Sequence, residues 1–203
     1  TTYRGYRVMQ MPPNFQGFTV LSMLNLIESF DLTQFGADSV DYYHLMIEAT
    51  KLAFADRDRW LTDLEFADIP IQQLISKSYS QQRRQLIQME KASLAIAPPV
   101  GGDTVYTAVT DAAGNAVSVI QSVYFDFGAA VVVPGTGFVL QNRGCFFTLD
   151  AAQVNCLAPR KRTFHTLMPG LVLHPNGQPY LVLGTMGGEG QPQTQLALLT
   201  RLL

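Results

Sequence analysis

Residues 95–102, Ala95-Ile96-Ala97-Pro98-Pro99-Val100-Gly101-Gly102, divide the chain into two halves whose apolar residues recur with different periods. Two prolines followed by two glycines have the composition of a linker, so one regular element does not run through them. Ahead of this run, a weak alternation over residues 5–11 ends at Pro12-Pro13 and reads as a short strand. Val20, Leu21, Leu24 and Ile27 then recur at helical spacing, and so do Tyr42, Leu45, Met46, Ala49, Leu52 and Ala53. Two amphipathic helices are expected there. Residues 76–90, with Arg83 and Arg84, are polar and helix-prone. Behind the run, short β-prone stretches follow at 105–109, 116–120, 129–133, 138–140, 170–173 and 180–183. Turns such as Ala113-Gly114-Asn115 and Pro175-Asn176-Gly177 separate them, and a last helix is expected over 193–203. Helices first and strands afterwards predict an α+β fold in which antiparallel sheet is covered by helices. No internal repeat is visible.

Composition narrows the function classes. With 203 residues, 47% of them hydrophobic, the chain can build one sizeable core. Fourteen Lys+Arg stand against 16 Asp+Glu, so the basic stripe that phosphate backbones demand is absent and nucleic acid is not an expected partner. The longest apolar stretches fall far short of the roughly 20 residues that cross a bilayer, so no membrane span is expected. Cys145 and Cys156 are too few for a disulfide framework and lack CxxC spacing. Thr1-Thr2-Tyr3-Arg4-Gly5 has no basic region and apolar core of a secretory signal, which leaves cytoplasm and periplasm both open. His44 and Glu48 share one helical face, but zinc would need further ligands at the right spacing, and both are read as structural. Asp56-Arg57-Asp58-Arg59 reads as a solvated ion-pair network.

The linker leads into a strand that begins at Thr104, the arrangement a self-cleaving precursor requires. The Thr104 hydroxyl would attack the carbonyl of Asp103, shift the acyl group from nitrogen to oxygen, and leave water to release a new terminus. Thr104 would then own a free α-amine. Its reference pKa of about 7.7 to 8.0 suits a general base for the neighbouring hydroxyl. The β-branch restricts χ1 and helps to hold Oγ for attack. Taken alone, Thr104 is simply the first residue of a strand; its context carries the catalytic reading.

That context resembles the γ-glutamyltransferase family. Gly102-Asp103-Thr104-Val105-Tyr106 and Asp111-Ala112-Ala113-Gly114-Asn115-Ala116-Val117-Ser118 are similar to the start of that family's small subunit. Met11-Pro12-Pro13, His44, Glu48-Ala49-Thr50-Lys51-Leu52-Ala53-Phe54-Ala55-Asp56-Arg57 and Leu61-Thr62-Asp63 look like the tail of its large subunit. Pro134-Gly135-Thr136-Gly137, Leu140-Gln141-Asn142, Lys161-Arg162 and Gly187-Gly188 continue the match in order. Because the family's proteins are much longer, the resemblance makes this chain a middle piece. Residues 1–103 would be the C-terminal part of the large subunit and 104–203 the N-terminal part of the small one, together one domain. The implied fold is part of the four-layer αββα sandwich of N-terminal-nucleophile hydrolases.

The resemblance also implies a site. Thr104 would be the nucleophile, and Asp103-Thr104 the cleavage junction. Backbone N–H groups of Gly187 and Gly188 would form the oxyanion hole, a task glycine suits because no Cβ stands in the way. Ser122 stands where the family has a Thr contacting the nucleophile's amine. In the substrate pocket Tyr124 replaces an Asn, Arg143 a Glu or Gln, and Phe146 the Asp that pairs with an ammonium. His165 and Thr166 occupy the places of two serines that hold a carboxylate. A pocket that exchanges Asp for Phe and gains Arg is expected to favour a carboxylate or a neutral acyl tail over an ammonium. This pattern is closer to the γ-glutamyltransferase-like and cephalosporin-acylase branch than to glutathione transpeptidases.

The expected function is a self-processed amide hydrolase or acyltransferase. It forms an acyl-Thr104 intermediate and passes it to water or an amine, with no metal or cofactor and with γ-glutamyl compounds such as glutathione, or related acyl amides, as substrates. Its other partners would be the remaining segments of its own two subunits. The alternatives are a glutaryl- or cephalosporin-type acylase and a non-catalytic structural or interaction fragment.

Overall fold

The structure is a computed structural model that describes residues 1–93 and 103–203. The Pro/Gly linker, with Gly101 and Gly102, lies outside the described residues. Strands β1 (Thr2–Tyr3) and β2 (Tyr6–Met9) form a tight hairpin, and β2 pairs antiparallel with β5 (Gly170–Leu173), which pairs with β6 (Pro179–Leu183). The resulting antiparallel sheet, in the order β1-β2-β5-β6, interleaves strands from both sides of the linker. A second, two-stranded sheet joins β3 (Asp103–Thr110) to β4 (Ala116–Tyr124).

Helix α1 (Phe18–Ile27) is buried on every side, Thr19, Ser22 and Asn25 included. It is therefore not the amphipathic helix its spacing predicts, because it packs against α2 (Val40–Trp60), α4 (Lys77–Arg83) and α5 (Gln191–Leu202). Its polar groups are held rather than solvated: Asn25 accepts from the Thr1 hydroxyl at 2.8 Å and donates to the Ile75 carbonyl at 2.7 Å. A short helix α3 (Ile71–Leu74), not foreseen from the sequence, precedes α4. Helix α2 starts where the Ser39 hydroxyl accepts from the Tyr42 N–H at 3.1 Å, satisfying one orphan donor of the first turn. Its length of 21 residues exceeds the stretch over which its apolar spacing is visible. The core gathers Leu24 and Ile27 of α1, Leu45 and Ala49 of α2, Leu196 and Leu199 of α5, and Val8, Val172 and Leu183 of the sheet.

Three further expectations are corrected. The helix read over 76–90 is only α4 and a 3₁₀ turn at Arg84–Leu86, after which Gln88 pairs with Lys91. Residues 129–133 and 138–140 are not strands; one isolated bridge joins Val132 to Val139. Phe127, Gly128 and Ala130 all have φ between 55° and 60°, and this left-handed backbone breaks the extended run. Asp56 and Arg57 are buried, so only Asp58 and Arg59 of that charged stretch face solvent.

Candidate active site

The root of the β3–β4 hairpin places Thr104. Asp111 sets the turn at the far end by accepting from the N–H groups of Ala113 and Asn115, both at 2.9 Å, with Gly114 at φ 84°. From Thr110 opposite Ala116 to Val105 opposite Gln121 the register is regular. It then slips, so that Asp103 faces Tyr124 and Thr104 lies across from Ser122 and Val123. Such a bulge re-aims a side chain. Thr104 is buried, whereas Val105 beside it is exposed.

Around this root the structure brings together residues far apart in the sequence. The Ser122 hydroxyl accepts from the Tyr124 N–H at 2.9 Å and from Arg143 Nη2 at 2.9 Å. Tyr124, at φ 79°, is a non-glycine residue in the left-handed region, a conformation that costs on the order of 1 kcal/mol and is held here by its surroundings. Its ring sits 4.9 Å from Phe146, which lies 4.5 Å from Phe164.

Arg143 is completely buried. Besides Ser122 Oγ it donates from Nε to Thr166 Oγ1 at 3.2 Å, and from Nη1 to the Ser122 carbonyl at 3.3 Å and Gln141 Oε1 at 3.4 Å. All of these acceptors are neutral. Burial lowers its pKa to about 10, so it remains a cation at neutral pH. His165 is half-buried and stacks on Phe15 at 4.7 Å. Its Nδ1 accepts from the Leu167 N–H at 3.3 Å, which puts the ring proton on Nε2. Burial, with the Arg143 charge second, lowers its pKa to about 4. It is a neutral imidazole.

Gly187 and Gly188 form the turn between β6 and α5, with φ of 116° and 55°. The Gly187 carbonyl accepts from the Gly190 N–H at 2.8 Å. In a trans peptide the N–H points opposite to the carbonyl, so this bond directs the Gly188 N–H away from the helix. The Gly188 carbonyl accepts from Gln16 Nε2 at 3.1 Å, and the same amide donates to the Thr166 carbonyl at 2.8 Å. Hydrogen bonds thus run without a break from Ser122, opposite Thr104, through Arg143 and Thr166 to Gln16 and the glycine turn. An open cleft of about 390 Å³ lies beside this chain, lined by Arg57, Phe146, Asn155, Phe164 and Glu189 among others.

Gln16, Arg57 and Glu189 were missed in the sequence. Arg57, read there as solvated, donates to Gln16 Oε1 at 3.2 Å and to Glu189 Oε2 at 2.8 Å, and lies over the Phe54 ring at 4.1 Å. The heptapeptide Gly184-Thr185-Met186-Gly187-Gly188-Glu189-Gly190 was the signal available for Glu189; nothing local marks Gln16. His44 contacts the Gln88 carbonyl at 2.8 Å, and Glu48 accepts from Lys51 at 2.6 Å. Among the described residues no three His, Cys, Asp or Glu stand together as metal ligands, and no helix is long and apolar enough to cross a membrane.

Helices packed on antiparallel sheet define the N-terminal-nucleophile class of fold, here in part. On a solved structure of cephalosporin acylase from Bacillus halodurans the chain superposes with a TM-score of 0.85 at 41% identity, covering 99% of this chain and 36% of that one. The chain belongs to the γ-glutamyltranspeptidase family, whose model matches residues 1–203. It is 56% identical to a glutathione hydrolase-like proenzyme of Bacillus subtilis over 99% of this chain and 38% of that protein. It is 42% identical to an oxamate amidohydrolase proenzyme of Klebsiella pneumoniae over 95% of this chain and 36% of that protein. The chain thus spans little more than a third of the relatives it matches.

Proposed function

We propose that these residues are the catalytic centre of a self-processing amide hydrolase or acyltransferase of the γ-glutamyl type, with Thr104 as nucleophile. The observation that carries this reading is the buried hydrogen-bond chain linking Ser122, across the bulge from Thr104, to the Gly187-Gly188 turn. In the precursor the Thr104 Oγ attacks the Asp103 carbonyl and its proton passes to the departing amide nitrogen. Water then hydrolyses the ester, leaving residues 1–103 with a carboxylate and Thr104 with a free amine. In the mature enzyme that amine takes the hydroxyl proton as Oγ attacks a substrate amide. The N–H groups of Gly187 and Gly188 hold the oxyanion. Collapse transfers the proton to the leaving amine; water or an acceptor amine then releases the acyl group. No step calls on a metal or cofactor. Donors are γ-glutamyl compounds such as glutathione, or related acyl amides.

Thr104→Ala in the full-length protein is expected to abolish self-cleavage and amidase activity together, giving one polypeptide on a denaturing gel. Processing that persists in this variant would sink the assignment.

A second reading, a glutaryl- or cephalosporin-type acylase, is favoured by one observation: Arg143 is buried beside Ser122 and Thr166, and none of the acceptors it meets among the described residues is a carboxylate. Tyr124 and Phe146, whose rings meet at a tilt, and the neutral His165 add no negative charge to this pocket. An acyl group lacking an ammonium avoids repulsion worth up to roughly 4 kcal/mol at about 4 Å and an effective dielectric near 20. Assayed side by side, glutaryl anilide is expected to be cleaved at least as well as γ-glutamyl anilide. A preference of about tenfold or more for γ-glutamyl in kcat/KM, equivalent to about 1.4 kcal/mol, contradicts the acylase reading.

A further inference from the structure

We infer that Gln16 and Arg57 are positioning residues that hold the Gly187-Gly188 turn in register with Thr104. This deepens the reading above and rests on those glycines being the oxyanion donors. Two successive left-handed glycines carry no side chain by which packing could fix them, and glycine has more backbone freedom to lose than any other residue. Something outside the turn must therefore hold it. The Gly187 carbonyl is tied within the turn, to the Gly190 N–H. The next carbonyl, that of Gly188, is tied to Gln16.

Gln16 is fully buried just ahead of α1, and its backbone N–H donates to the His165 carbonyl at 2.9 Å. Both N–H groups of its side chain are used, on Gly188 and Thr166, and its oxygen accepts from Arg57. A carboxamide is required here: it must donate twice to carbonyls while accepting once from a guanidinium. Arg57 completes the clamp, since its Nη2 pairs with Glu189, the residue that follows the glycines. The guanidinium is itself fixed between the rings of Phe54 at 4.1 Å and Phe164 at 5.2 Å. One clamp thus connects α2 and the segment before α1 to the turn after β6. It also reaches Thr166, to which Arg143 is bonded, so the turn and the Ser122 side of the site share one support.

The test is Gln16→Leu in the full-length, self-processed enzyme, alone and combined with Gly188→Ala. Displacing the turn from a productive geometry is expected to lower kcat about 10- to 100-fold with KM within about threefold, since the N–H groups act mainly on charge that develops in the transition state. If Gln16 acts through the turn, its effect largely disappears in the Gly188→Ala background, because the two changes damage one element. A packing role would lower stability but add its loss of kcat independently. Additive losses, or a loss confined to KM, overturn the inference while leaving the oxyanion assignment intact. An unchanged kcat in Gly188→Ala alone overturns the assignment on which the inference rests. Should Gln16→Leu fail to fold, Glu189→Ala, which removes the acceptor that Arg57 Nη2 meets in the turn, is expected to lower kcat about tenfold with KM within about threefold, and an unaltered kcat refutes the clamp.

Discussion

The α1 core and the β3–β4 hairpin are built on opposite terms. All ten residues of α1 are buried, and the residues around them come from both ends of the chain. The hairpin pairs its main chain along eight and nine residues but leaves Val105, Val109, Val117 and Val119 exposed. Among the described side chains of the hairpin, Thr104 and Tyr124 at its root are the buried ones. In the core, side-chain packing determines position. In the hairpin, ladder hydrogen bonds set the register, and side chains pack at its root and where Tyr106 meets Gly184 and Ser118 donates to the Leu183 carbonyl at 3.4 Å. The contrast teaches that the candidate nucleophile stands at the border between the two, held by its strand on one side and by the core's polar connections on the other.

The comparison breaks most easily at the core. Leu24→Ala removes a fully buried side chain and should destabilise by about 3 kcal/mol, the cost of lost burial plus a cavity. Val109→Ala, on the exposed hairpin, should change stability by no more than about 0.5 kcal/mol in the 203-residue chain. Urea unfolding of both variants checks the pair, and equal losses would show the hairpin to be packed as the core is.

Much of this division was legible in the sequence. The apolar spacing of Leu45, Met46 and Ala49 marked α2, and Ala113-Gly114-Asn115 marked the hairpin turn, because these signals are local. The α+β class followed from the order of the elements. Residues 129–140 misled because β-prone composition does not reveal left-handed residues such as Phe127 and Ala130. Arg57 misled for another reason: a charge-alternating helix face reads as solvated unless its partner is known, and Glu189 lies 132 positions away. Arg143 could be read as a solvated surface charge, and only the fold, by burying it between Ser122 and Thr166, excludes that. Gln16 carries no periodic or motif signal at all, since its partners are two backbone carbonyls and a guanidinium assembled by tertiary structure. Thr104 and the glycine pair were visible as candidates through family resemblance, not through any spacing between them.

The central claim is that Thr104 becomes an N-terminal nucleophile, and the intact mass of the purified full-length protein tests it most directly. The account predicts two polypeptides in equal amount, one ending at Asp103 and the other beginning at Thr104, whose masses add up to that of the precursor plus one water. A single uncut polypeptide with full amidase activity, or a break at any other bond, would contradict it.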